Sequence, residues 1–157
     1  MTARSHVYRL AVTWTGNRGS GTSAYDAYGR EHEVRAAGKP PVFGSADPAF
    51  RGDPVCWNPE ELLVAALSAC HMLWYLHLCA VAGIVVTGYD DAAEGIMVEP
   101  TVGSAKFERV ILRPRVSLAP GADQGHARQL HEVAHRRCFI ANSVNFAVEH
   151  APEFVTA

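Results

Sequence analysis

Two cysteines stand where sulfur chemistry can be built. Cys70 lies inside the long apolar run from Leu62 to Ala82, ten residues after the carboxylate of Glu60. Cys138 closes His135-Arg136-Arg137-Cys138 and leads into Phe139-Ile140-Ala141-Asn142-Ser143. A thiol attacks only as the thiolate, and an unperturbed cysteine ionises near pH 8.5. Burial in an apolar helix raises that value, the wrong direction for catalysis. The helix dipole adds little, because it acts mainly on the first turn and Cys70 sits about three turns in. A reactive Cys70 therefore needs a cation from elsewhere, and Arg51, in Phe50-Arg51-Gly52-Asp53, and Arg18, in the first turn, are the candidates. Glu60 is the natural group to hold such an arginine. On a straight helix it lies about 15 Å from Cys70, so it positions the arginine from a distance or serves the thiol of a partner subunit. An active site at a subunit interface is the expectation.

The remaining thiols and histidines offer less. Cys79, among Leu76, Leu78 and Val81, reads as packing, and Cys56 stands in the loop before the helix. His131-Glu132-Val133-Ala134-His135 matches the H-E-x-x-H pattern of zinc proteases, but Arg136-Arg137 follows at once and the H-x-x-G-x-x-H continuation is missing. The preferred reading is a partly exposed helix with incidental histidines. A metal site drawn from Cys138, His135, His131, Cys70 and His71 is a weaker alternative, since no C-x-x-C accompanies it. His71 and His77 read as interior histidines, and Trp57 as a pocket wall.

The elements that must position these residues can be read in outline. His6 to Thr15 alternates as a strand, Thr22 to Tyr28 predicts its hairpin partner, and Glu31 to Arg35 a further short strand. Ala36 to Trp57 is a long excursion rich in Gly, Pro and Asp, of the kind that tends to be functional. Asn58-Pro59-Glu60-Glu61 then carries the signals of a helix start: a capping residue, proline in first position and acids in the first turn. Gly83 ends that helix. Ile84 to Val98 and Ala105 to Leu118 predict two strands, Asp123 to Arg137 a second helix, and Phe154-Val155 a last strand. This order predicts a single α+β domain over residues 1–157 with antiparallel sheets.

Bulk properties narrow the function classes. Of 157 residues, 48% are hydrophobic and 19% charged, with a net charge of −2. With only Lys39 and Lys106 as lysines and no basic stripe, nucleic acid is not an expected partner. The stretch Leu62–Ala82 is uncharged and long enough to span a bilayer. It holds Ser68, His71 and His77 and lacks a flanking basic cluster, so a helix in the middle of the fold is preferred to a membrane span. Apolar residues surround that helix on every side, which predicts a second subunit packed on it, an obligate homodimer. The N-terminus shows no apolar signal region, giving the cytoplasm as the expected compartment and reduced thiols there.

The whole arrangement resembles the OsmC/Ohr family of thiol-dependent peroxidases. The residues that carry it are Asn58-Pro59-Glu60-Glu61-Leu62 with Ala65-Ala66-Leu67-Ser68-Ala69-Cys70, then Ala134-His135-Arg136-Arg137-Cys138 with Asn142-Ser143, and the turn Gly16-Asn17-Arg18-Gly19-Ser20-Gly21-Thr22. The resemblance implies an intertwined homodimer, with antiparallel sheets flanking long central helices. It implies reduction of organic hydroperoxides, or of hydrogen peroxide, without a metal or organic cofactor. Cys70 would be the peroxidatic thiolate that becomes a sulfenic acid, and Cys138 the resolving thiol that closes a disulfide with it. Arg51 or Arg18 would stabilise the thiolate and the departing oxygen, Glu60 would orient that arginine, and a dithiol, lipoyl groups among them, would restore the thiols. Two departures stand out: His71 follows Cys70 where members often have Phe, and Phe139-Ile140-Ala141-Asn142 replaces a commoner proline-containing segment. The rival expectation is a binding or structural protein on the same scaffold, its thiols idle or holding a metal.

Overall fold

The structure, a computed structural model, describes residues 4–155. The chain forms two compact units, Met1–Leu62 and Leu63–Ala157.

In the first unit, β1 (Ala11–Trp14) pairs antiparallel with β2 (His32–Arg35), and β2 with β3 (Val42–Gly44). The register puts Val12, Val34 and Val42 in one row across the sheet, the β-branched ladder that stabilises strand pairs. Thr22 to Tyr28 is not a strand. It is a series of turns and bends inside the β1–β2 connection. Asn17 Oδ1 accepts the N–H groups of Gly19 and Gly21 at 2.9 and 3.1 Å, which starts the turns. Arg30 fixes their far end, donating to the carbonyls of Tyr28 and Tyr25 and lying over both rings. The arginine fork thus takes carbonyls that a strand would have offered to a neighbour. Within the excursion after β2, Asp47 caps a short 3-10 turn, Pro48–Phe50, by accepting from Ala49 N at 2.7 Å.

Helix α1 (Pro59–Val81) starts as predicted. Asn58 Oδ1 accepts from Glu61 N at 2.7 Å while Glu61 Oε2 accepts from Asn58 N at 3.1 Å, a reciprocal capping box. Gly83, at φ 73°, provides the left-handed residue that stops it.

In the second unit the two predicted strands each break in two. Ile84 to Val98 becomes β4 (Val86–Asp91) and β5 (Glu94–Val98), and Ala105 to Leu118 becomes β6 (Lys106–Leu112) and β7 (Pro114–Leu118). The breaks face each other. Pro114 has no N–H to give, and the Asp91 carboxylate accepts the preceding Arg113 N–H at 2.7 Å and the Ser68 hydroxyl at 2.5 Å. The long hairpin therefore feeds two sheets, β4-β7 and β5-β6, both antiparallel. The last strands, β8 (Ala147–His150) and β9 (Glu153–Val155), add to β6 and β7 in parallel, so the sheets are not wholly antiparallel. Between β7 and β8 runs α2 (Gln124–Arg137), capped by Asp123, whose carboxylate accepts from His126 N at 2.9 Å.

Only one line of α1 is buried: Leu67, His71, Tyr75 and Cys79, at fourfold spacing. Leu67 packs with Val110 and Leu112, and Tyr75 and Cys79 with Ile84, Val116, Ala127, Leu130 and Ala134. A fully buried side chain of this size contributes about 1.5–3 kcal/mol. The rest of the apolar helix is uncovered to differing degrees, Leu73 being 62% and Val81 74% exposed. By length and composition α1 still passes as a membrane-spanning helix.

Candidate functional site: a thiol pair beside a histidine cluster

The two thiols come from different elements and meet. Cys70 is half-buried on α1, one residue off the buried line. Cys138 ends α2, its backbone turned extended (φ −64°, ψ 112°) and its N–H still bonded to His135 O at 3.3 Å. That change of direction turns the Cys138 side chain inward, where it is buried and close enough to Cys70 for the two thiols to interact. The Cys138 thiol is pushed up to about 11. Desolvation is the main cause and the contact with Cys70 adds to it, while the N–H groups of Ala141 (3.4 Å from the sulfur) and Ile140 work against it. Cys138 therefore keeps its proton at neutral pH. Aromatic rings stand alongside: Trp74, one turn after Cys70 on α1, meets Phe139 edge-on at 5.4 Å between centroids and has the Arg137 guanidinium 5.7 Å from its ring centre.

The other expected site residues belong to the first unit. Arg18 reaches Glu31 at 3.9 Å, both side chains being largely exposed. Arg51 is exposed, its guanidinium 5.9 Å from the Tyr25 ring centre, and it is the one described non-glycine residue with positive φ, at 64°. Glu60 is half-buried in the first turn of α1 and makes no ion pair among the described residues. Trp57, expected as a pocket wall, is 54% exposed and pairs through its backbone with Gly44.

The sequence reading missed what lies next to Cys70. His71 Nε2 and His131 Nδ1 are 3.0 Å apart, their ring planes 7° from parallel, and both side chains are fully buried. His131 is thus not an incidental surface histidine of α2. Its ring lies against Tyr75, 3.8 Å between centroids, with His150 of β8 at 6.3 Å and Phe154 of β9 edge-on at 6.1 Å. Desolvation, then the neighbouring histidines, lower His71 to about 4; desolvation, then His71, His150 and Arg128, lower His131 to about 3. Glu132, the acid of the H-E-x-x-H pattern, points outward and pairs with His150 at 3.6 Å. His77 is exposed, edge-on to Trp74, against its expected interior place. Among the described residues no set of three or more His, Cys, Asp or Glu side chains can hold a metal ion. The signal for the cluster was present, since His131 and His135 share a face with Ala127, Leu130 and Ala134, but histidine does not count as apolar in a periodicity.

The family model described as OsmC-like protein matches residues 52–153, and the chain belongs to the OsmC-like family. Among solved structures, an OsmC-like protein of unknown function from Vibrio cholerae is 32% identical, covering 94% of this chain and 99% of its own, with a TM-score of 0.85. A protein from Legionella pneumophila described as an organic hydroperoxide resistance protein OsmC is 19% identical, covering 96% of this chain and 98% of its own, at a TM-score of 0.66. A second Vibrio cholerae protein, a putative organic hydroperoxide resistance protein with captopril in one of its active sites, is 21% identical over 98% and 95%, at 0.68. The last two share the fold. No curated protein matches the chain.

Proposed function

We propose that this protein is a thiol-dependent peroxidase that reduces organic hydroperoxides, or hydrogen peroxide, in the cytoplasm. The observation that carries the reading is that the fold brings the Cys70 and Cys138 thiols, 68 positions apart in the sequence, close enough to interact. Cys70, the more accessible of the two, attacks the terminal peroxide oxygen as a thiolate. The O–O bond breaks, sulfur is oxidised to a sulfenic acid, and the alkoxide leaves as alcohol after taking a proton. The Cys138 sulfur then attacks Cys70. An S–S bond replaces the S–O bond, and hydroxide leaves as water with the proton that Cys138 had kept. A dithiol reductant, of lipoyl type, returns two electrons and two protons and restores both thiols.

Arg51 is the favoured cation for the thiolate and the departing oxygen, with Arg18 second. Positive φ at a non-glycine residue costs on the order of 1 kcal/mol and concentrates at functional sites, which supports Arg51. Glu60 would orient the arginine. The functional form is a homodimer, supported by two apolar surfaces that one chain leaves open: the uncovered side of α1, with Leu73 and Val81, and the sheet of the first unit, with Val12, Trp14 and Phe43.

Steady-state consumption of cumene hydroperoxide with dihydrolipoamide tests the reading. Turnover by the natural chain and none by Cys70→Ser is the expected result; equal consumption by both would overturn it in favour of a non-catalytic protein.

A further inference from the structure

The thiol pair and the imidazole pair join the same two helices. Cys70 and His71 are adjacent on α1, and His131 lies seven residues, about two turns, before Cys138 on α2. Among the described residues, the His71–His131 bond is the one side-chain hydrogen bond between nitrogen or oxygen atoms that links α1 to α2. Its length of 3.0 Å, ring centroids 5.3 Å apart and nearly coplanar rings describe an in-line N–H···N bond. One ring donates and the other accepts, so the buried pair holds one proton between the facing nitrogens.

Nothing around this pair welcomes further protons. On α1, Tyr75 and Cys79 are a phenol and a thiol held neutral by burial. Tyr89 of β4 is likewise held neutral. On α2, His135 and the Arg128 cation stand nearby, and His150 approaches from β8 at 5.4 Å from His71. The carboxylate of Glu132 on α2 is turned outward and engaged with His150. Four imidazole nitrogens here, His71 Nδ1, His131 Nε2, His135 Nδ1 and His150 Nδ1, are buried without a partner among the described residues. Charging rings in such a place is costly, and letting water reach them relieves that cost.

We propose that His71 and His131 are positioning residues for the thiol pair: their bond holds Cys70 against Cys138, and protonation of the two rings parts α1 from α2, so that disulfide closure is lost in acid. The inference rests on the peroxidase reading for its purpose, but not for its geometry. Acid acts by favouring the parted state, in which both rings regain ordinary histidine basicity. Between pH 7 and pH 5 that state gains about 25-fold for each ring, and so several hundred-fold for the pair.

The test is the alkylation rate of buried Cys138 by N-ethylmaleimide, measured by peptide mass spectrometry in the reduced full chain and divided by the rate for the unfolded chain at the same pH. The expected protection falls at least tenfold from pH 7 to pH 5. In the double variant His71→Gln/His131→Gln, whose amides can bond to each other but do not titrate, it changes less than twofold. Should that variant not fold, His71→Phe removes one of the two rings and is expected to show a smaller acid response than the natural chain. Equal protection of the natural chain at both pH values, or an undiminished acid response in the variant, would overturn the proposal. Because no peroxide enters the assay, its result is independent of whether Cys70 turns over hydroperoxide. A second readout, the Cys70–Cys138 disulfide formed by one equivalent of hydroperoxide, is expected to decline at pH 5 in the natural chain and to hold in the double variant.

Discussion

Cys70 and Cys79 share a helix, nine residues apart, and differ in what faces the sulfur. Cys79 is on the buried line of α1, walled by Ile84, Val116, Ala127 and Leu130, with the Tyr75 hydroxyl against it. Desolvation pushes its thiol up, and Tyr75 offsets this only in part. Cys70 is one position off that line, half-buried, and meets the Cys138 thiol. A rotation of about 100° per residue thus separates a packing cysteine from one that solvent and a second sulfur can both reach.

The largest expected effect breaks the comparison at its reactive end. Cys70→Ser should lower hydroperoxide turnover by more than about 100-fold, as loss of a nucleophile does. Cys138→Ser should consume a single equivalent and stop, leaving a Cys70 sulfenic acid that dimedone traps. Turnover that survives Cys70→Ser would move the chemistry elsewhere.

Next is acid. His71, buried and held down to about 4, is neutral when folded and protonated below about 6.5 when unfolded. Its contribution to stability is complete above pH 6.5 and is lost as the pH falls from there to about 4, a loss of about 3 kcal/mol from this ring. Urea midpoints at pH 7, 5 and 4 check this; a midpoint that does not move would show that the cluster opens to water already at neutral pH.

A smaller effect sharpens the packing end. Cys79→Ala should destabilise the fold by about 1–2 kcal/mol through the space it leaves, with peroxide turnover within about twofold of the natural chain. Reduced turnover at unchanged stability would assign Cys79 a redox part. Smallest, Asn58→Ala should cost about 1 kcal/mol by removing the α1 cap, visible in a thermal melt.

Both helices were legible because their start signals are local. Asn58-Pro59-Glu60-Glu61 and Asp123 sit where their capping bonds form, and Gly83 stops α1 by its own backbone freedom. Strand pairing was less legible, being decided at long range. Arg30 holds Thr22 to Tyr28 in turns, and Asp91 with Pro114 divides one hairpin between two sheets, neither of which periodicity can report. At the site, Cys70 and Cys138 were singled out from the residues around them, whereas the His71–His131 bond spans 60 positions and no local pattern pairs the two rings. The choice between Arg51 and Arg18 rests on Arg51's backbone, a property no residue pattern displays.

The central claim is that these two sulfurs form one redox couple. Adding one equivalent of cumene hydroperoxide to the reduced protein and mapping its disulfides by peptide mass spectrometry tests it most directly. The account predicts the loss of two thiols per chain and a single Cys70–Cys138 cross-link, with Cys56 and Cys79 still free. Cys70 and Cys138 both recovered as free thiols, or a cross-link through Cys56 or Cys79, would contradict it.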